Sequence, residues 1–112
     1  MNIKAIAEKI GMDYEAVMED YCGDVSALKD KLMAFPSSAD LTALEQSISE
    51  RNADGMKKEA HKIRKCAEKL GLHEIAKLAS RIEEVNHEKA VSDFAELKTA
   101  RDAVCSIIEN AV

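Results

Sequence analysis

Hydrophobic positions recur along this chain at intervals of three and four residues, and polar residues fill the gaps between them. That is the period of a helix with one buried side, because residues i, i+3, i+4 and i+7 share a face. Over residues 2–10, Ile3, Ile6, Ala7 and Ile10 keep the spacing and Gly11 stops the run. Residues 12–21 predict a second short helix with Tyr14, Val17, Met18 and Tyr21 inward. Asp13 is its expected cap, and Glu15 sits in the first turn, where a negative charge complements the helix dipole. Cys22-Gly23-Asp24 then makes a break followed by a fresh cap, and Val25, Leu28, Leu32 and Phe35 predict a helix over 25–35. Pro36 is expected to end it, since proline has no N–H to donate and disfavours helical geometry at the preceding residue. Ser37 or Ser38 is expected to cap the next helix, which carries Leu41, Leu44 and Ile48 and ends near Asn52.

The second half repeats the pattern at greater length. Asn52-Ala53-Asp54 reads as a tight connection, with Asp54 capping a helix whose stripe is Met56, Ala60, Ile63, Ala67 and Leu70. Gly71, just past the last apolar residue, is the expected stop. A helix over about 72–86 places Leu72, Ile75, Leu78, Ala79, Ile82 and Val85 inside; the last, over about 88–109, does the same with Val91, Phe94, Leu97, Val104, Cys105 and Ile108. Arg101 falls in the middle of that last stripe and is expected to snorkel or to pair with a carboxylate. No stretch alternates as a strand would. The fold class is therefore all-α: an antiparallel up-down four-helix bundle with two short N-terminal helices capping one end, in a single domain over 1–112.

Composition narrows this further. At 112 residues there is room for one core, and 46% hydrophobic with 33% charged residues suits a soluble globular protein. No apolar run approaches the roughly 18–20 residues that cross a membrane. Met1-Asn2-Ile3-Lys4 leads into a charged amphipathic pattern rather than a signal peptide, so the cytoplasm is the expected location. Cys22, Cys66 and Cys105 are odd in number and far apart, which argues against a disulfide framework or a zinc site and for reduced, mostly buried thiols. A formal charge of −5 opposes general nucleic-acid binding. The charge is uneven, however. Residues 56–70 hold Lys57, Lys58, Lys62, Arg64, Lys65 and Lys69 against Glu59 and Glu68, which points to a local anionic partner.

His61 stands in that basic segment, on the side away from the apolar stripe. Its neighbours at i−4, i−3, i+3 and i+4 are Lys57, Lys58, Arg64 and Lys65. An exposed imidazole in a cationic ring suits a histidine that handles a phosphoryl group. The cations disfavour the imidazolium and leave the ring nucleophilic. They can then neutralise the phosphoryl oxygens, Arg64 in bidentate fashion. The plain alternative is a solvated charged face that happens to contain a histidine. His73 is expected to be a capping or surface residue, and His87 a solvated loop residue. Cys66 faces a different side from His61, so a nucleophile pair is not expected. Zinc binding by Cys66 and His73 lacks two further ligands.

The run Ala60-His61-Lys62-Ile63-Arg64-Lys65-Cys66-Ala67-Glu68-Lys69-Leu70-Gly71 resembles the signature of histidine-containing phosphotransfer (HPt) domains, roughly Ala-His-x-Leu-Lys-Gly-Ser-Ala-x-x-Leu-Gly. Ala60, His61, Ala67, Leu70 and Gly71 are kept, and Ile63 stands for Leu. Arg64 stands for Lys, Cys66 for Ser and Lys65 for Gly. Gly11-Met12-Asp13-Tyr14-Glu15-Ala16 looks like the opening helix of one subgroup, Cys22-Gly23-Asp24 matches the Gly-Asp before the first bundle helix, and the helix through Ile82-Glu83 is similar too. The likeness covers nearly the whole chain, although only 60–71 is specific. In the family the segments on either side of Pro36 usually form one longer helix.

The resemblance implies a phosphoryl carrier without autokinase activity. His61 would accept the group from an aspartyl phosphate on a receiver domain and pass it to another. Arg64, Lys65, Lys57 and Lys58 would stabilise phosphate or dock the partner, with Leu32, Met33 and Phe35 as apolar docking candidates. No cofactor is expected on this chain; Mg²⁺ belongs to the receiver. The expected partners are receiver domains and a hybrid histidine kinase, with no nucleic acid and no membrane, and the chain is expected to be a monomer. Where the family has Gly, Lys65 could obstruct a receiver or swing out to add a phosphate contact. Two other readings stand beside the carrier: a degenerate HPt domain that binds a receiver or kinase without transfer, and an adaptor whose basic helix binds an acidic partner.

Overall fold

The computed structural model describes residues 3–84 and 86–110. Asn2, expected to start the first helix, and Val85, expected to face inward, lie outside the described residues. Seven helices occur among the described residues, and no strand: α1 (Ile3–Ile10), α2 (Tyr14–Asp20), α3 (Val25–Ser38), α4 (Thr42–Ser49), α5 (Ala53–Lys69), α6 (His73–Glu83) and α7 (His87–Asn110). α5 packs along α6, α6 along α7, and α4 along α5, while α3 lies against α7 and α5 and α1 against α7. At 24 residues α7 spans about 36 Å, close to the 41 Å long axis of the molecule. No described helix is long and apolar enough to cross a membrane.

The stripes read from the sequence form one core. Phe35, Leu28, Leu32, Leu44, Met56, Leu70, Ile82, Leu97 and Ile108 are its largest fully buried side chains. Each such burial is worth about 1.5–3 kcal/mol relative to exposure. Two expected inward residues fall outside it. Val25 and Val91 are 44% and 60% exposed, both in the first two turns of their helices, where no neighbouring helix covers them. Leu32 and Phe35, proposed as docking residues, are buried completely, so of that trio Met33 alone reaches the surface. Of the three thiols, Cys105 is buried, Cys66 half-buried and Cys22 exposed at a left-handed turn residue, which corrects the expectation for Cys22.

Helix ends account for most of the remaining differences. α3 does not stop before Pro36 but runs through it to Ser38. The amide that proline lacks costs the helix one bond, yet the turn closes because Ala39 N–H donates to Phe35 O at 2.8 Å. Arg101, reaching in from α7, donates from Nη2 to Pro36 O at 2.6 Å and from Nε to Ala39 O at 2.9 Å. A cation thus satisfies the terminal carbonyls at the negative end of the helix. The partners expected for Arg101 included a carboxylate, and Asp102 accepts from its Nη1 at 3.0 Å. With Ser37 and Ser38 inside α3, the start of α4 is held by Asp40, whose carboxylate accepts from both the amide and the hydroxyl of Thr42. Those two bonds keep the Asp40 carboxyl below its usual range. For α5 the cap is Asn52, which accepts from Gly55 N–H at 3.0 Å, and not Asp54, which lies in the first turn. His87 is the first residue of α7 rather than a solvated loop residue. It is half-buried, with Nε2 3.2 Å from Ile48 O.

Candidate functional site

The helix that carries His61 is fixed at both ends and along its inner face. Asn52 caps its start. At its end Gly71 N–H donates to Glu68 O and Leu72 N–H to Ala67 O, a Schellman closure that requires a left-handed residue at the turn. Gly71 supplies it with φ +65°. Met56, Ala60, Ile63, Ala67 and Leu70 are all buried, as their spacing predicts. The rotation of α5 is thereby set, and His61 faces out with its side chain 49% exposed.

The ring is not surrounded by cations alone. Glu83, at the end of α6, brings Oε1 to 2.8 Å from His61 Nδ1. Arg64 clamps the same carboxylate, with Nε donating to Oε2 at 2.5 Å and Nη2 to Oε1 at 3.4 Å. Arg64 Nη1 also donates to Glu68 at 2.8 Å, and Nη2 lies 2.9 Å from His61 Nδ1. Hydrogen bonding to Glu83 and then to Glu68 pushes the guanidinium pKa further up, and the Arg64 bond holds Glu68 below its usual range. Sequence reasoning missed Glu83. The residue was visible only as the end of a resembling helix, and no local spacing links it to His61.

Two partners meet Nδ1 and make opposite demands on its protonation. A carboxylate only accepts, and a guanidinium only donates. If Nδ1 were bare, it would set a lone pair against Glu83 Oε1 at 2.8 Å. With Nδ1 protonated, N–H donates to Glu83, and Arg64 Nη2 retains Glu83 as its acceptor. A bare Nδ1 would instead accept from Arg64 Nη2 at 2.9 Å; in the state where Nδ1–H donates to Glu83, Nε2 is the unprotonated nitrogen. No partner for Nε2 occurs among the described residues.

The remaining ring members divide. Lys57 and Lys58 are exposed, without a carboxylate partner among the described residues. Lys65 is 53% exposed, and its Nζ lies 3.7 Å from Glu68, one turn further along α5. Lys62 reaches Glu59 at 3.4 Å. A groove of about 370 Å³ opens beside His61 between α5 and α3, and Lys65 and Cys66 line it. Burial pushes the Cys66 thiol pKa up, against the opposing influence of Lys69 and Lys31. His73 is exposed at the start of α6 and lines a different groove, with Lys9 and Glu74. Among the described residues, no three His, Cys, Asp or Glu side chains converge as a metal site would need.

The family model for the Hpt domain matches residues 36–107, which include α4 to α6, most of α7 and the His61 cluster. The chain belongs to the Hpt domain family, whose members work in phosphotransfer of two-component signalling. No curated protein and no solved structure matches it.

Proposed function

We propose that this chain is a histidine phosphocarrier of a phosphorelay, with His61 moving a phosphoryl group between receiver-domain aspartates. The observation that carries the reading is the exposed imidazole whose Nδ1 is engaged by Glu83 while Nε2 has no partner among the described residues. In the forward step Nε2 attacks the phosphorus of an aspartyl phosphate. The N–P bond forms, the P–O bond to the aspartate breaks, and the carboxylate leaves with the electron pair. The proton on Nδ1 stays in place, and the positive charge that develops on the ring is met by Glu83. Reversal onto a second aspartate returns the ring to neutrality. No acid or base on this chain has to give up a proton, which fits a carrier without autokinase activity.

In this reading the side chains around His61 have separate tasks. Arg64, held by two carboxylates, orients Glu83 and the ring. Lys65, Lys57 and Lys58 are the cations open to phosphoryl oxygens or to the partner. Mg²⁺ would be held by the receiver. The α3–α4 segment, α5, α6 and α7 would form an antiparallel four-helix bundle capped by α1 and α2, the chain would act as one domain in the cytoplasm, and its partners would be receiver domains and a hybrid histidine kinase. Lys65, half-exposed in the groove beside His61, favours a second reading in which a receiver binds without transfer.

The test is to incubate the purified protein with a phosphorylated receiver domain and follow the label. Transfer to the wild type and none to His61→Gln is expected. Equal labelling of both proteins, or none of the wild type, would sink the carrier reading.

A further inference from the structure

The two flanks of His61 differ in charge balance. On the α6 side, Arg64 is held by both Glu83 and Glu68, so that its one positive charge is outweighed by two carboxylates. On the α3 side lies the groove of about 370 Å³, lined by Lys31 from α3 and by Lys62, Lys65 and Lys69 from α5. Tyr21, Cys66 and Leu70 line it as well. Lys62 and Lys65 each have a loose carboxylate contact along their own helix. Lys31 and Lys69 have none among the described residues, and both are exposed. They stand on opposite walls, close enough that each acts electrostatically on the Cys66 thiol between them.

We infer that the α3–α5 groove is the face on which the receiver docks, with Lys31 and Lys69 selecting partners that carry carboxylates around the aspartyl phosphate. This rests on the carrier reading and adds the side of approach and two residues outside the ring of His61. The occupant follows from charge complementarity. The phosphoryl donor is itself a dianion on an acidic side chain, and four lysines facing one cleft on a protein of charge −5 attract an anionic surface to that place and repel nothing acidic there. The opposite flank offers no comparable field, because its one arginine is already paired twice. A larger groove between α1, α6 and α7 is lined by Lys9, Lys77 and Arg81 but also by Glu74 and Glu96, and it does not contain His61. It serves as the control.

Two phosphodonors separate docking from chemistry. Phosphoramidate is small and needs no docking surface, whereas a receiver domain phosphorylated with acetyl phosphate and Mg²⁺ must dock. A panel of such receivers is presented to the wild type, to Lys31→Glu with Lys69→Glu, and to Lys9→Glu with Lys77→Glu. The rate from the best receiver divided by the rate from phosphoramidate is expected to fall at least about tenfold in the first double variant, through KM and more steeply at low salt. It is expected to stay unchanged in the second. An unchanged ratio in the Lys31/Lys69 variant, or an equal fall in both variants, overturns the inference while leaving His61 as the acceptor. Labelling of the wild type by phosphoramidate but by no receiver also overturns it. Failure of both donors on the wild type removes the carrier reading on which it rests.

Discussion

Glu83 Oε1 lies 2.8 Å from Nδ1 of His61, although 22 positions separate the two residues and they belong to different helices. The contact makes the end of α6 part of the site on α5. Removing it frees the ring to adopt either tautomer and takes away the charge that faces the phosphorylated ring. Glu83→Ala is therefore expected to slow transfer to His61 by roughly 10- to 100-fold, the equivalent of the about 1.5–3 kcal/mol of a hydrogen bond to a charged group. Nitrogen NMR of the imidazole should show mainly Nδ1–H in the wild type and a shift toward Nε2–H in the variant. Slow transfer with an unchanged tautomer ratio would point to a folding defect rather than to this contact.

Lys65 is the largest departure from the family signature, and its geometry bears on whether it obstructs. Its amine leans toward Glu68, one turn further along α5, instead of lying across the His61 ring. If that amine meets a phosphoryl oxygen rather than blocking the receiver, its loss weakens transfer without restoring anything. Lys65→Ala is expected to slow transfer a few-fold and to change the melting temperature little, because alanine is a good helix former. A gain of transfer in Lys65→Ala or Lys65→Gly over an inactive wild type would instead establish the degenerate reading.

How far the sequence reached depends on the range of each interaction. The stripe of Met56, Ala60, Ile63, Ala67 and Leu70 was legible because a helix repeats its own geometry, and the outward direction of His61 followed from it. Glu83 was not legible, since its position relative to His61 depends on how α6 packs against α5 after the turn at Gly71. The helix starts were read only in part for another reason. Asn52 and Asp54 can both cap, as can Ser37, Ser38 and Asp40, and only the fold decides which side-chain oxygen meets a free amide. Pro36 was overestimated as a terminator. It cannot show by itself that an arginine 65 positions later satisfies its carbonyl.

The thiols provide a check on packing that does not depend on function. Cys22 is exposed, while burial pushes the pKa of Cys66 and of Cys105 up. A thiol-specific aromatic disulfide at pH 8 should modify Cys22 first and Cys66 and Cys105 much more slowly. The sign of the alkaline response follows as well. In the unfolded chain these two thiols ionise at a lower pH than in the folded protein. Their contribution to stability is present below about pH 8.5 and is lost as the pH rises above that. Cys66→Ser with Cys105→Ala should flatten the fall in stability between about pH 8 and 10.

Arg101 should be structural and not functional. Its guanidinium joins α7 to the end of α3 through Pro36 O and Ala39 O. Arg101→Met keeps the stem but leaves two carbonyls without their charged donor, and should cost about 1.5–3 kcal/mol in urea unfolding. Phosphoramidate labelling of His61 should be unchanged below the melting transition. A loss of labelling in folded protein would contradict this division.

Gly71 links the site to the N-terminal helices. Its φ of +65° is one that a side chain adopts at a cost of about 1–2 kcal/mol, and a Cβ there would stand 2.7 Å from Val17 Cγ2 on α2. Gly71→Ala thus combines backbone strain with a clash, and the two parts can be separated. Val17→Ala alone trims a buried side chain. In the double variant the clash is gone and only the strain remains. The double variant should therefore be more stable than the sum of the two single losses predicts, by an interaction energy within the roughly 0.5–3 kcal/mol found for residues in contact. Additive losses in a double-mutant cycle of urea unfolding would show that α2 does not press on the turn that ends the His61 helix.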